Sequence, residues 1–218
     1  YKMTRVILMG PPGSGKGTQA SYIASLLQVN SISTGDLFRS NLSGGTELGL
    51  IAKGYMESGE YVPDDITIGM IMNWVMDPQN DSGFVLDGFP RTMRQAEELD
   101  SRLGHNKVDM VVFFDVAFNL LIERLTGRWI CQACQRPYHH LFAPPDQEKI
   151  CNSCGGDLYQ REDDKLEVVE NRLKIYKEST EPVLEYYSQT NKLQNLDASR
   201  SIEVVRGELA SLLKEKVS

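Results

Sequence analysis

Residues 6–18 read Val-Ile-Leu-Met-Gly-Pro-Pro-Gly-Ser-Gly-Lys-Gly-Thr. Four apolar residues of strand type run straight into a glycine-rich turn, and a helix-forming stretch, 16–27, follows. Glycine tolerates backbone angles that a side chain forbids, so successive N–H groups of such a turn can converge on a polyphosphate. Lys16 adds a point charge for the β and γ oxygens, and the helix N-terminus adds its dipole. Strand, lysine and hydroxyl stand in the order of a phosphate-binding loop. One detail departs from the general pattern: Gly17 follows the lysine, and the hydroxyl comes one place later, at Thr18. A glycine-rich turn without a ligand is the competing reading, and it accounts for neither Lys16 nor Thr18.

Strand-type runs recur outward from this loop at 84–86 and 110–116, and more weakly at 29–33 and 193–196. Helical patterns fill the intervals at 36–42, 46–58, 64–76, 93–103, 118–125, 165–187 and 202–216. Strand-helix alternation predicts an α/β fold, a five-stranded parallel sheet flanked by helices as in P-loop nucleotide-binding proteins. Ligands of such sheets sit beyond the carboxyl ends of the strands, where Asp87 and Asp115 end two of the runs. The segment 165–187 repeats Leu166, Val169, Leu173 and Tyr176 at helical spacing, and Pro182 is expected to bend it or start a fresh turn. Two stretches break the alternation. Residues 34–62 are punctuated by Gly44-Gly45 and Gly59, and residues 127–164 are rich in Cys, Pro, Gly and Asp. Both read as insertions on the ligand edge of the sheet.

The chain has 218 residues, 41 % of them hydrophobic and 24 % charged, which suits one sizeable core with an insertion or two. No apolar stretch approaches the roughly 20 residues needed to span a bilayer, and no apolar signal region opens the sequence, so neither a membrane nor secretion is expected. The net charge of −7 makes a free polyanion such as nucleic acid a poor partner. Any phosphate site must be a local cluster of cations within an acidic protein.

All four cysteines fall in the second insertion, as Cys131-Gln132-Ala133-Cys134 and Cys151-Asn152-Ser153-Cys154, with 16 residues between the pairs. Two such knuckles can close one tetrahedral zinc site, and a closed set of four thiolates leaves no position for chemistry. Two disulfides or a redox dithiol are the alternatives, and a cytosolic setting disfavours stable disulfides. His139 and His140 then read as surface or nucleotide-facing residues rather than ligands.

Further polar groups recur along the ligand edge. Ser33-Thr34-Gly35-Asp36 with Arg39 opens the first insertion; a helix N-cap explains the first four, but not Arg39. Asp87-Gly88-Phe89-Pro90-Arg91 sets a Mg-facing carboxylate beside a guanidinium suited to phosphate. Arg124 and Arg128, four apart, share a helix face if the helix extends that far. Arg161 and Arg172 flank Asp163-Asp164. Each arginine alone is an ordinary surface residue; together in an acidic chain they call for a ligand with several phosphates.

On these residues the chain resembles the adenylate kinases over 3–216, in the longer form whose lid carries a four-cysteine zinc knuckle. The markers are Gly10 to Thr18, Ser33-Thr34-Gly35-Asp36, Asp87 to Arg91 with Gln95, Arg124, Gly127-Arg128, Arg161-Glu162-Asp163-Asp164 and Arg172. The family's loop carries Gly-Thr after the lysine, as here. The resemblance implies reversible phosphoryl transfer, Mg·ATP plus AMP to two ADP. It implies a core of 1–32, 63–126 and 165–218, a mobile AMP-binding domain of 33–62 and a zinc-binding lid of 127–164.

Residue by residue, the resemblance gives Gly13, Ser14, Gly15, Lys16, Gly17 and Thr18 to the ATP phosphates. Arg128 and the Pro137-Tyr138 stretch would cover ATP from the lid, and Arg200 would lie by its adenine. Thr34, Arg39, Glu60, Tyr61, Val62, Gly88, Phe89, Pro90, Arg91 and Gln95 would form the AMP site. Arg124, Arg161 and Arg172 would converge on the phosphates, and Asp87 would orient Mg2+. Cys131, Cys134, Cys151 and Cys154 would hold Zn2+. A cytoplasmic monomer acting on nucleotides is the expectation. A GTP-using AMP kinase, another nucleoside monophosphate kinase, and a non-catalytic nucleotide sensor with a zinc-ribbon module are the rivals.

Overall fold

The computed structural model describes residues 5–105 and 107–217; residues 1–4, 106 and 218, including the outer ends of the expected core segments 1–32 and 165–218, lie outside the described residues. Five parallel strands form one sheet in the order β2-β3-β1-β4-β8: β1 is Arg5–Met9, β2 Asn30–Ser33, β3 Phe84–Asp87, β4 Met110–Asp115 and β8 Leu193–Asp197. Strand side chains alternate between faces, and β1 divides its residues accordingly. Val6 and Leu8 pack with helices α1 (Lys16–Leu27), α6 (Phe118–Thr126), α7 (Leu166–Ile175) and α9 (Ile202–Val217). Ile7 and Met9 pack on the other face with α4 (Asp64–Val75), α5 (Met93–Leu103) and α8 (Glu181–Ser188). Both faces are dry, which is why β1 reads as an unbroken apolar run rather than an alternating one.

This order puts the site where it belongs. The chain leaves β1 for the edge strand β2, returns through β3, and then crosses to β4 on the other side of β1. The connections therefore part at the carboxyl end of β1, the switch point where such sheets open a crevice. The phosphate-binding loop occupies that point, between β1 and α1.

The first insertion is a helix pair, α2 (Thr34–Ser43) and α3 (Glu47–Ser58), capped by Ser33, which accepts from Asp36 N at 3.4 Å, and by Thr46, which accepts from Gly49 N at 3.1 Å. Its small core is Phe38, Ala52 and Val62. The second insertion contains an antiparallel three-stranded sheet, β5 (Arg128–Cys131), β6 (Pro137–His139) and β7 (Leu158–Tyr159), in the order β6-β5-β7. The expected break of 165–187 at Pro182 takes the form of two helices joined by a π-turn, Tyr176–Thr180. Pro182 is the cause: it has no N–H to donate, and its ring clashes with the carbonyl four residues back in a regular helix. Among the described residues no helix is long and apolar enough to cross a membrane.

Candidate active site

Two backbone features shape the loop at the switch point. Gly13 has φ +83°, and a Cβ there would lie 2.8 Å from Leu125 Cγ, so the loop can approach α6 only with glycine at this position. The first turn of α1, where Thr18 N donates to Gly15 O at 3.1 Å, then lies at the positive end of the helix dipole. Lys16 is folded back across this turn; its Nζ donates to Gly10 O at 2.7 Å, Pro11 O at 2.8 Å and Ser14 Oγ at 3.1 Å. Burial brings the Lys16 ammonium down to about 8, against the opposing pull of Asp87.

Asp87 ends β3 in the neighbouring strand and is buried. Burial raises its carboxyl above the ordinary value, while Lys16 and Arg91 hold it down. A buried carboxylate facing cations across the mouth of a phosphate loop fits a divalent ion carried by a polyphosphate.

The turn after β3 brings Arg91 and Thr34 together. Arg91 Nε donates to Gly88 O at 2.7 Å, and Arg91 Nη2 donates to Thr34 Oγ1 at 3.0 Å. Thr34 in turn donates to Gly88 O at 2.8 Å. Gly88 has φ +75°, and a Cβ there would stand 2.8 Å from both Arg91 Nη2 and Thr34 Oγ1. The close approach thus requires glycine. Phe89 is buried beneath this turn. Gln95 is 1 % exposed and engaged at both ends: Oε1 accepts from Arg91 N at 2.8 Å, and Nε2 donates to Asp64 Oδ1 at 2.7 Å.

A second set of arginines approaches from the base of the other insertion. Arg128 binds the fully buried Asp164 through two bonds, Nε to Oδ2 at 2.8 Å and Nη2 to Oδ1 at 2.5 Å. Arg172 pairs with Asp163 at 3.0 Å and Asp164 at 3.3 Å. Burial alone would raise the Asp163 carboxyl, but Arg172 and then Arg128 bring it below its ordinary value. Arg161 differs: its buried Nε has no hydrogen-bond partner, and burial together with Arg39 and Arg128 brings it down to about 10. Arg91, Arg128 and Arg172 are all charge neighbours of Lys16. Four cations, Lys16, Arg91, Arg128 and Arg172, thus stand with three carboxylates, Asp87, Asp163 and Asp164.

Asp164 thus compensates two cations. Asp164→Asn is expected to cost about 3 kcal/mol, the low end for breaking a buried pair, because the arginine side chains keep 22 % and 20 % exposure. Chemical denaturation monitored by circular dichroism measures it; a cost under about 1 kcal/mol would place the pair in the surface class.

The other expected site residues have partners of their own, and Arg39 is also a charge neighbour of Asp87, Arg161 and Asp163. Arg124 donates to Ala198 O at 2.8 Å and Ser199 O at 3.0 Å, with Asp197 as its charge neighbour, so it is not among the charges gathered around Lys16. Arg200 pairs with Asp197 at 3.2 Å and with Glu208 on the same side. Arg39 pairs with Asp36 at 2.6 Å. Glu60 is exposed and Val62 is buried. Tyr138, in β6, turns its ring into the cysteine cluster. His139 is buried, which corrects its reading as a surface residue: Nε2 lies 3.0 Å from Glu123 O, and Nδ1 accepts from Leu141 N at 3.0 Å and Phe142 N at 3.1 Å. The two N–H donors fix the tautomer, with the proton on Nε2.

The four cysteine sulfurs gather with all ligand atoms within 4.8 Å of one another. Cys131 Sγ and Cys154 Sγ are 3.4 Å apart, Cys134 Sγ and Cys151 Sγ 3.6 Å. A disulfide bond is about 2.05 Å. The edge of a tetrahedron of zinc–thiolate bonds is about 3.8 Å, given bonds of about 2.3 Å. The donor set therefore fits a tetrahedral metal.

A glycine-rich phosphate loop at the switch point of a parallel sheet, with Arg91, Arg128 and Arg172 as its charge neighbours, defines a P-loop phosphotransferase. The comparisons narrow this. The family model described as adenylate kinase matches residues 8–192. The adenylate kinase of Carboxydothermus hydrogenoformans is 47 % identical over 97 % of this chain and 100 % of its own length. That of Methanocella arvoryzae is 47 % identical over 96 % of this chain and 98 % of its own, and that of Enterococcus faecalis 46 % over 96 % and 99 %. The chain belongs to the adenylate kinase family, and its function is that of these phosphotransferases.

Proposed function

We propose that the chain moves the γ-phosphoryl group of Mg·ATP directly onto the phosphate of AMP, releasing two ADP. An oxygen of the AMP phosphate attacks the γ-phosphorus as the bond to the β-bridging oxygen breaks; no protein nucleophile is needed. The work of the protein is to align the groups, neutralise charge and exclude water. The observation that carries this reading is the gathering of Arg91, Arg128 and Arg172 around Lys16, with buried Asp87 facing them.

In this reading Gly13 to Thr18 hold the ATP phosphates, and Lys16 follows the transferred group. Arg91, with Thr34, Arg39, Gly88 and Gln95, receives AMP. Arg128, Arg161 and Arg172 close on the phosphates, where Arg161 has no competing carboxylate bond. Arg124 and Arg200 flank the loop after β8, a place suited to the ATP base. Residues 33–62 serve as the AMP-binding domain and 127–164 as the lid. Asp87 would hold Mg2+, which supplies charge neutralisation on the polyphosphate. The four cysteines would hold Zn2+, which supplies folding energy to the lid and no chemistry. The chain acts as a cytoplasmic monomer on ATP, AMP and ADP, without nucleic acid or membrane.

A coupled assay of ADP formation tests the reading, with ATP or GTP as donor and AMP, UMP, CMP or GMP as acceptor. ATP with AMP is expected to exceed every other pair by at least about tenfold in kcat/KM, the discrimination of roughly 1.4 kcal/mol available from a few base-edge contacts. Equal rates with GTP would favour the GTP-using rival, and no transfer with any pair would favour the sensor.

A further inference from the structure

Besides the bonds of its guanidinium to Gly88 O and Thr34 Oγ1, three further contacts hold Arg91, and two of these pass through one hydroxyl. Its N–H donates to Gln95 Oε1 at 2.8 Å. Its carbonyl accepts from Thr180 Oγ1 at 2.8 Å. Its guanidinium lies over the Tyr61 ring, 5.1 Å from the centroid, close enough for a cation–π contact. Thr180 has a single proton and gives it to Arg91 O. Its 2.8 Å contact with Tyr61 Oη is therefore the phenol donating to Thr180. The direction of the chain is set: Tyr61 to Thr180 to Arg91.

Thr180 comes from the end of the π-turn and is 3 % exposed. It belongs to a buried stripe of Val169, Leu173, Tyr176, Thr180, Val183 and Tyr187 in which every other member is aliphatic or aromatic. A polar residue in such a stripe is costly unless bonded, and here both of its bonds lead to Arg91 and to Tyr61, whose ring lies under the Arg91 guanidinium. We infer that Thr180 is a positioning residue for the acceptor phosphate: its hydroxyl fixes both the peptide of Arg91 and the aromatic platform under the Arg91 guanidinium. The inference rests on the reading of Arg91 as the grip on the AMP phosphate.

The test compares Thr180→Val, Thr180→Ser and Arg91→Ala, with KM for AMP and ATP from the coupled assay and AMP affinity of the ligand-free protein from calorimetry. Thr180→Val keeps the shape and removes both bonds; it is expected to weaken AMP on the order of tenfold while KM for ATP stays within about twofold. Thr180→Ser restores AMP affinity to within about twofold of the parent. A packing role alone would lower the melting temperature without separating AMP from ATP. Should Thr180→Val fail to fold, Thr180→Ala, which leaves a gap rather than a methyl against two polar atoms, carries the same expectation. Equal effects on both nucleotides, or unchanged AMP affinity in a folded Thr180 variant, overturn the inference. If Arg91→Ala weakens AMP while the Thr180 variants do not, the inference alone fails; if Arg91→Ala leaves AMP binding unchanged, the reading of Arg91 fails and takes the inference with it.

Discussion

Lys16→Met is expected to lower kcat by about 10²–10³ while the circular dichroism spectrum and melting temperature stay close to the parent's, because one preorganised electrostatic partner of a transition state is worth that much. The three acceptors of Nζ are Gly10 O, Pro11 O and Ser14 Oγ, all in the loop itself, so the substitution opens no cavity in either core. The methionine keeps most of the stem and loses the charge together with the three bonds of Nζ. A second readout follows from the titration of the ammonium. Burial sets Lys16 at about 8 in the free protein, so it carries its proton below that pH and loses it above. Since kcat/KM reports the free enzyme, kcat/KM for ATP is expected to be level toward neutrality and to fall about tenfold per pH unit well above pH 8. The Lys16→Met variant should lack that limb. Near-parental turnover in the folded variant would remove Lys16 from the reaction.

The parts of this molecule that speak plainly in the sequence are those where one local rule decides the structure. An apolar run ending in a glycine-rich turn with a lysine has few alternatives, and β1 with its loop followed from it. The two cysteine knuckles likewise met as one cluster. Where neighbours in space decide, the sequence was silent. The strands of the second insertion are two to four residues long, too short for alternation to register, and their pairing depends on the knuckles and turns between them. The π-turn was hidden for another reason: the buried positions 169, 173, 176, 180, 183 and 187 keep spacings of four and three straight through it. Only a threonine on the apolar face, two places before Pro182, signalled that the segment does more than pack. Arg124 and Arg128 would share a helix face only if the helix reached Arg128; α6 ends at Thr126 and β5 begins at Arg128, so that condition is not met. His139 was misread because its partners, the Glu123 carbonyl and two N–H groups of its own turn, are backbone atoms that no side-chain pattern announces.

Metal removal should act on stability far more than on chemistry. The hydrophobic cluster of the second insertion is Cys131, Tyr138, Cys151 and Leu158, with Trp129 packed against it, while Leu141 and Phe142 remain 59 % and 55 % exposed. Two of the four members of that cluster are themselves cysteines, so little apolar core remains once the thiolates are unheld. A segment of this size generally needs a metal or cross-link to fold. Tyr138 reinforces the thiolate set: its hydroxyl accepts from Asn152 N at 2.8 Å and lies 3.3 Å from Cys151 Sγ, and this hydrogen bond brings the Cys151 thiol down to about 6. A metal present at about 10³ times its dissociation constant stabilises the folded form by roughly 4 kcal/mol. At about 2–4 °C per kcal/mol for a chain of this size, chelation or Cys131→Ser should lower the melting temperature by roughly 8–16 °C. At low temperature the chelated protein should keep much of its activity. Lys16, Asp87 and Arg91 stand on the main sheet and its loops, and Arg128 is tied to Asp164 by bonds that involve no cysteine. Elemental analysis, with thermal melts and turnover recorded on the same chelated sample, decides it. One zinc per chain with a lower melting temperature and surviving low-temperature turnover is the expected result. Two intact disulfides without metal would reject the site, and complete loss of turnover in a chelated protein that remains folded would reject the purely structural role.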